Sequence, residues 1–168
     1  MRPNREEFAE QLHAAAIESV ETVGRWMPWC HPGRTQSESA EWLRKCQSTW
    51  DSGEEHEFTL FDHDGGYIGA AGLNQYNRVH NFANLGYWVR QSRQGRGLAV
   101  EAVALLAEFG FKAVGLNRIE IVIASDNLRS RRVAEKSGAV FEGLARNRLA
   151  MRDVLLAAAV YSLVPNVA

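Results

Sequence analysis

The residues Gln94-Gly-Arg-Gly-Leu-Ala99 set two glycines and a cation at the point where a β-type run, Leu85 to Val89, meets a long apolar stretch. A helix starting there leaves its first amides without acceptors and points the positive end of its dipole at the turn. Arg90, Arg93 and Arg96 add charge at the same spot. Free amides, a dipole and cations together suit an anion such as a pyrophosphate, and small residues let the backbone approach it closely. A dinucleotide fingerprint fits poorly, because Val100 stands where the third glycine of Gly95-x-Gly97-x-x would be, and the turn follows a meander. A P-loop fails, since no Gly-Lys-Ser/Thr follows.

The surrounding elements must position this turn. Apolar spacing predicts a first helix over residues 5–23, broken by Pro28 in Trp26-Met-Pro-Trp29. Thr35 with Glu38 forms a capping-box pattern for a second helix, Ser37 to Trp50. His56 to Asp62 and Tyr67 to Gln75 read as strands around the turn signal Asp64-Gly65-Gly66, and Phe82 to Val89 as a third strand. The stretch Gly97 to Val114 is apolar nearly all round, which predicts a largely buried helix ending at Gly115. Arg118 to Ala124 is a strand, Asn127 to Ser137 a short helix and Val140 to Asn147 a strand. Asp153 to Val164 reads as a closing strand, with helix as the alternative because of its alanines. The order α-α, β meander, then β-α-β-α-β-β specifies an α/β (α+β) domain around a mixed sheet, and no linker or repeat divides residues 1–168.

Composition agrees with one globular domain: 46% of the 168 residues are apolar and 23% charged. Cys30 and Cys46 are too few for a metal cage, and no Cys-x-x-Cys occurs, so reduced thiols, no metal and a cytoplasmic location are expected. The apolar run Val154 to Val164 is too short to span a bilayer, so no membrane association is expected. The net charge of −1 hides an asymmetry: residues 1–60 carry 6 Lys/Arg against 11 Asp/Glu. The basic residues of the remainder cluster in short turns, not along an aromatic face, which argues against nucleic acid. An acidic lobe for a cationic substrate and a basic lobe for an anionic one is one reading, and chance variation of solvated faces is the other.

Gln94-Gly-Arg-Gly-Leu-Ala99 resembles the Gln/Arg-x-x-Gly-x-Gly/Ala signature of the GNAT superfamily of acyl-CoA-dependent N-acetyltransferases. Asn127-Leu-Arg-Ser-Arg-Arg-Val-Ala-Glu-Lys-Ser-Gly138 and Phe141-Glu-Gly-Leu-Ala-Arg146 resemble a second stretch of that superfamily. With Gly86-Tyr-Trp88, Gly97-Leu-Ala-Val-Glu-Ala102, Trp26-Met-Pro-Trp29 and Tyr161-Ser-Leu163, the likeness is greatest to the ribosomal-protein serine/alanine N-terminal acetyltransferases, from about residue 17 to the end. That branch usually opens with a β-strand, for which only Met1 to Pro3 remain.

The resemblance implies a mostly antiparallel sheet flanked by helices and split between two central strands that hold CoA. The strand ending at Trp88 and Val89 would pair with the pantetheine arm. The amides of Gln94, Gly95, Arg96, Gly97, Leu98 and Ala99 would hold the pyrophosphate, and Asn127 the pantetheine. Arg90, Arg93, Arg96, Arg129, Arg131 and Arg132 are candidates for the phosphates. Acetyl-CoA would be the donor, and a primary amine would attack its thioester directly.

Ser130 matches a serine that protonates the departing thiolate, although a helix-capping or phosphate contact is the plainer role. Tyr161 is a second candidate donor, and a backbone amide near Val89 would serve the oxyanion. Relatives carry a base on the strand where this chain has Asn84, or at Arg148 to Ala150, and neither carboxylate is present. His80 substitutes by type, an imidazole being able to take up a proton. Trp26 and Trp29 line the acceptor pocket or belong to the core. An α-amine of pKa about 7.7–8.0 needs less help from a base than a lysine or polyamine near ~10.4, which favours a protein N-terminus, a ribosomal one by resemblance. A small-molecule amine, or a CoA-binding module without turnover, are the alternatives. A homodimer is one assembly open to it, and the sequence leaves the oligomeric state undecided.

Overall fold

The computed structural model describes residues 1–165. Helix α1 (Ala9–Glu18) follows a short 3-10 turn, and α2 (Gln36–Asp51) packs beside it. The sheet strands are β1 (Arg2–Pro3), β2 (His56–Phe61), β3 (Tyr67–Asn77), β4 (Phe82–Val89), β5 (Arg118–Ala124), β6 (Val140–Met151) and β7 (Val154–Leu163). Helix α3 (Leu98–Phe109), extended by a π turn at Gly110–Val114, and α4 (Leu128–Lys136) complete the chain. The strand order is β1-β2-β3-β4-β5-β7-β6, antiparallel except for the central pair β4–β5.

The abbreviated first strand exists: Arg2 and Pro3 pair with Thr59 and Phe58. The capping box of α2 is complete, with Thr35 Oγ1 accepting from the Glu38 amide while Glu38 reaches back to the Thr35 amide. The closing segment is a strand. Its alanines fit because Ala158 and Ala159 have no exposed surface in the middle of the sheet.

Two expectations need correction. The first helix stops at Glu18, not residue 23, because Ser19 Oγ turns back onto the Ala15 carbonyl at 2.6 Å and also accepts the Gln91 amide. The apolar spacing persists to Val23 because those turn residues still face the core. Helix α3 is not buried all round. Ala102, Val103, Leu106 and Ala107 are buried at helical spacing, while Glu101, Ala104 and Leu105 are exposed.

Two apolar clusters flank the sheet. One joins α3 to β2, β3, β4, β5 and β7 through Leu73, Leu85, Leu106, Ile119 and Ile121. The other joins α1 and α2 to the opposite face through Leu12, Leu43, Ala70 and Trp88. Strand alternation therefore puts Asn84, Gly86 and Trp88 on the α1–α2 face and Leu85 and Tyr87 on the α3 face.

Candidate active site

Strand β4 pairs with β3 as far as Val89, but with β5 only at Phe82–Arg118, Ala83–Ile119 and Asn84–Glu120. Beyond Asn84 the two central strands part, while β5 stays paired with β7 to Ala124. The opening holds a cavity of about 430 Å3 between β4, the first turns of α3 and α4, and the Thr22–Met27 segment. The Arg90 amide donates to Ile68 on β3, so by alternation the Val89 amide faces the opening.

The turn before α3 is built to approach a ligand. Gly95 and Gly97 have φ of 79° and 80°, the left-handed region, and a Cβ on either would meet no protein atom within 4 Å. Such a Cβ would stand in the open space beside the cavity. The amides of Gly95, Arg96, Gly97, Leu98 and Ala99 find no acceptor among the described residues. The Gln94 side chain donates to the Val89 carbonyl at 2.9 Å and to Thr22 Oγ1 at 3.1 Å, tying the turn to β4. Free amides, room for backbone approach and a helix N-terminus fit a pyrophosphate.

The arginines divide into two groups. Arg93, paired with Asp62 at 3.0 Å, lines the cavity. So do Arg129 and Arg132, both exposed, together with Lys136, whose position one turn further along α4 was not singled out from sequence. Arg96 is exposed beside the turn, 3.4 Å from the Ser92 carbonyl. Two phosphate candidates are corrected. Arg90 is held by Glu18 and the Tyr67 carbonyl, and Arg131 spans the Tyr161 hydroxyl and the Ser125 carbonyl. Both guanidiniums are already satisfied by protein acceptors.

The Arg90 guanidinium holds the Glu18 carboxyl down to about 2, helped by the Ser92 amide. A carboxyl depressed in the folded state stabilises above its unfolded pKa and loses that contribution as pH falls from about 4.5 towards 2. Glu18→Gln should therefore lower stability by about 2 kcal/mol at pH 7 and much less at pH 3. Urea denaturation at the two pH values checks this; an equal loss at both would remove the ionic origin.

Asn127 caps α4, its Oδ1 accepting the Ser130 amide at 3.2 Å, and its side chain borders the cavity. Ser130 Oγ lies 2.8 Å from the Tyr87 hydroxyl, which also reaches the Ser130 carbonyl at 3.1 Å. Tyr87 is a member of the site that sequence reasoning passed over, although it sits inside the quoted Gly86-Tyr-Trp88. Burial pushes its hydroxyl up to about 12, so it stays protonated near neutral pH. Tyr161 is corrected as a proton donor: it is fully buried, and its hydroxyl already donates to Glu135 while accepting from Arg131.

Trp26 and Met27 line the cavity, as do Trp88, Leu98 and Ala99. Trp29 does not; it packs edge-on against Trp88 with ring centroids 5.2 Å apart. His80 is corrected as a base. It is exposed in the β3–β4 turn, at the opposite end of β4 from Val89, which is about 23 Å away along the strand. Asn84 lies at the apex of the split, its Nδ2 donating to Asn74 Oδ1 at 2.9 Å, while its own Oδ1 is buried without a hydrogen-bond partner among the described residues.

Cys30 and Cys46 are buried free thiols. Among the described residues no three His, Cys, Asp or Glu side chains are grouped to hold a metal, and no helix is long and apolar enough to cross a membrane.

Residues 1–140 match the family model of the acetyltransferase (GNAT) domain. The ribosomal-protein-serine acetyltransferase of Escherichia coli is 25% identical over 155 residues, covering 85% of this chain and 86% of that one. The spermidine N(1)-acetyltransferase of the same organism is 29% identical over 80 residues, 48% of this chain and 43% of its own. A solved structure from Vibrio cholerae, assigned as a ribosomal-protein-serine acetyltransferase, superposes with a TM-score of 0.81 at 28% identity, covering 96% of this chain and 90% of that one. A split sheet with a free-amide turn at its mouth and a family model spanning most of the sequence lead to one conclusion: the chain belongs to the GNAT acetyltransferase family, and it is an N-acetyltransferase that takes its acetyl group from acetyl-CoA.

Proposed function

We propose that the acceptor is the N-terminal α-amine of a protein, a ribosomal protein being the first candidate. The observation that carries the donor side is the cradle of unpaired amides at Gly95 to Ala99 facing the same cavity as Arg93, Arg129, Arg132 and Lys136. The amides bind the pyrophosphate and the side chains its outlying phosphate. The β4 edge up to Val89 and Asn127 hold the pantetheine, and the Val89 amide meets the oxyanion. The Tyr87–Ser130 hydroxyl pair delivers the proton to the departing thiolate. Trp26 with Met27 borders the acceptor path.

The ribosomal reading is supported by the kinship with ribosomal-protein acetyltransferases over most of both chains, and by the smaller demand that an α-amine makes on a base. The shorter match to a spermidine acetyltransferase favours a second reading, a small polyamine. Thiol release from acetyl-CoA should be at least about ten times more efficient, in kcat/KM, with peptides beginning in Ser or Ala than with spermidine. The opposite ranking transfers the assignment to small amines. Tight donor binding with no turnover on any amine leaves a CoA-binding module.

A further inference from the structure

On the α1–α2 face of the sheet, the register sets Glu57 opposite Gly72 and Gly72 opposite Gly86, with Asn74 opposite Asn84 one step along. Neither glycine carries a side chain, and the two vacancies differ. A Cβ on Gly72 would come within 2.0 Å of Glu57 Oε2, so the Glu57 carboxylate lies across Gly72. A Cβ on Gly86 would meet only Asn74 Nδ2, at 3.8 Å in ordinary contact, so there is room over Gly86 for an atom of that size. That depression is bordered by Trp88 at one end, by Asn84 at the apex of the split on the other, and by Asn74 and Glu57 on its flank.

The polar groups form a chain: Asn84 Nδ2 donates to Asn74 Oδ1 at 2.9 Å, and Asn74 Nδ2 donates to Glu57 Oε1 at 3.1 Å. Asn84 Oδ1 is left over, buried and unpartnered among the described residues, as an acceptor for a donor such as a water. Glu57 keeps some exposed surface, although most of its carboxyl is enclosed.

Resting on the acetyl-transfer reading above, we propose that Glu57 is the proton acceptor for the acceptor amine, which it reaches through water held over Gly86 by Asn84 Oδ1. The ammonium gives one proton to Glu57, and the freed lone pair forms the C–N bond. The C–S bond then breaks with its electron pair on sulfur, a second N–H proton passes through the Tyr87–Ser130 hydroxyls to the thiolate, and the proton on Glu57 returns to solvent. The products are the amide, free CoA thiol and one released proton.

The local charges suit this. Burial raises the Glu57 carboxyl to about 7, against the Asn74 hydrogen bond and with the nearby Glu55 charge. The other titratable groups coupled to it are Cys46 on α2 and Tyr67 and Tyr76 on β3. Burial lifts Cys46 and Tyr76 to about 12 and Tyr67 higher, so all three stay neutral across the working range. A carboxyl that titrates near operating pH is suited to general-base work.

The test is the pH dependence of kcat, at saturating acceptor, for the wild type, Glu57→Gln and Glu57→Gln/Asn84→Asp, with an N-terminal Ser peptide and with spermidine. The glutamine still accepts from Asn74, so the fold should hold, and acetyl-CoA affinity by calorimetry should be unchanged. The wild type should show an acidic limb near pH 7. Glu57→Gln should lose that limb and at least about 100-fold in kcat, and Asn84→Asp in that background should restore part of the rate with a limb at its own lower pH. A limb retained in Glu57→Gln, a loss under about 3-fold, or a double variant no better than the single overturns the proposal. Wild-type turnover on either amine secures acetyl transfer independently, and a wild type inert to both overturns that reading and this proposal with it.

Discussion

Gly97→Val is expected to raise the dissociation constant for acetyl-CoA by at least about 100-fold while the chain still folds. Two costs act in the same direction. The residue holds φ at 80°, a region closed to β-branched side chains, so the turn must deform by way of a strain of about 1–3 kcal/mol. The added bulk also stands where no protein atom lies within 4 Å, on the side from which the unpaired amides are reached. Hydrogen bonds from those amides to a charged phosphate are worth about 1.5–3 kcal/mol each, and losing one, together with the strain and the dipole's alignment, reaches the roughly 2.8 kcal/mol of a 100-fold change. Calorimetric titration with acetyl-CoA, beside a thermal melt of the free protein, measures both consequences. Unchanged affinity in a folded variant would remove the pyrophosphate from this turn.

Ser130→Ala and Tyr87→Phe should each lower kcat by about 100-fold and change acetyl-CoA affinity by less than about 5-fold. A thiolate of pKa about 8.5 is a weaker base than a tyrosinate whose acid is held near 12, so the pair cannot surrender a proton outright. In the proposed mechanism it relays one, taking a proton from the attacking nitrogen as it delivers another to sulfur. Removing either hydroxyl breaks the same relay. The double variant should therefore be no more than about 3-fold slower than either single variant, where independent contributions would multiply to about 10,000-fold. Single-turnover rates with saturating donor resolve the two cases. A weakened affinity with kcat intact would make the pair a binding contact.

Much of this architecture is legible in residue patterns, because the local and global signals agree. Phe82–Val89 and Arg118–Ala124 have the bounds their apolar alternation specifies, and Thr35 with Glu38 starts α2 at the stated cap. Where the reading overshoots, tertiary contacts decide. Ser19 ends α1 through bonds to Ala15 and to Gln91, seventy-two residues on, and no periodicity carries that information.

The basic residues show the same limit more sharply. Arg129, Arg131 and Arg132 are near neighbours in sequence, yet Arg131 turns inward to Tyr161 while the other two border the cavity. Only the helix phase, set by packing, separates them. Glu57 escaped notice for a different reason. Its link to Asn84 crosses two strand registers and depends on two glycines lying side by side, a relation between β2, β3 and β4 that no single segment displays.

The partial pairing of β4 with β5 has a mechanical consequence. Three residue pairs join the two halves of the sheet, and Val103, Leu106 and Ala107 of α3 share one apolar cluster with residues of β4, β5 and β7. The first turn of that same helix is the one proposed to hold the donor. A donor held by that turn binds the folded chain with its seam closed, so affinity for acetyl-CoA and stability of the fold are thermodynamically linked.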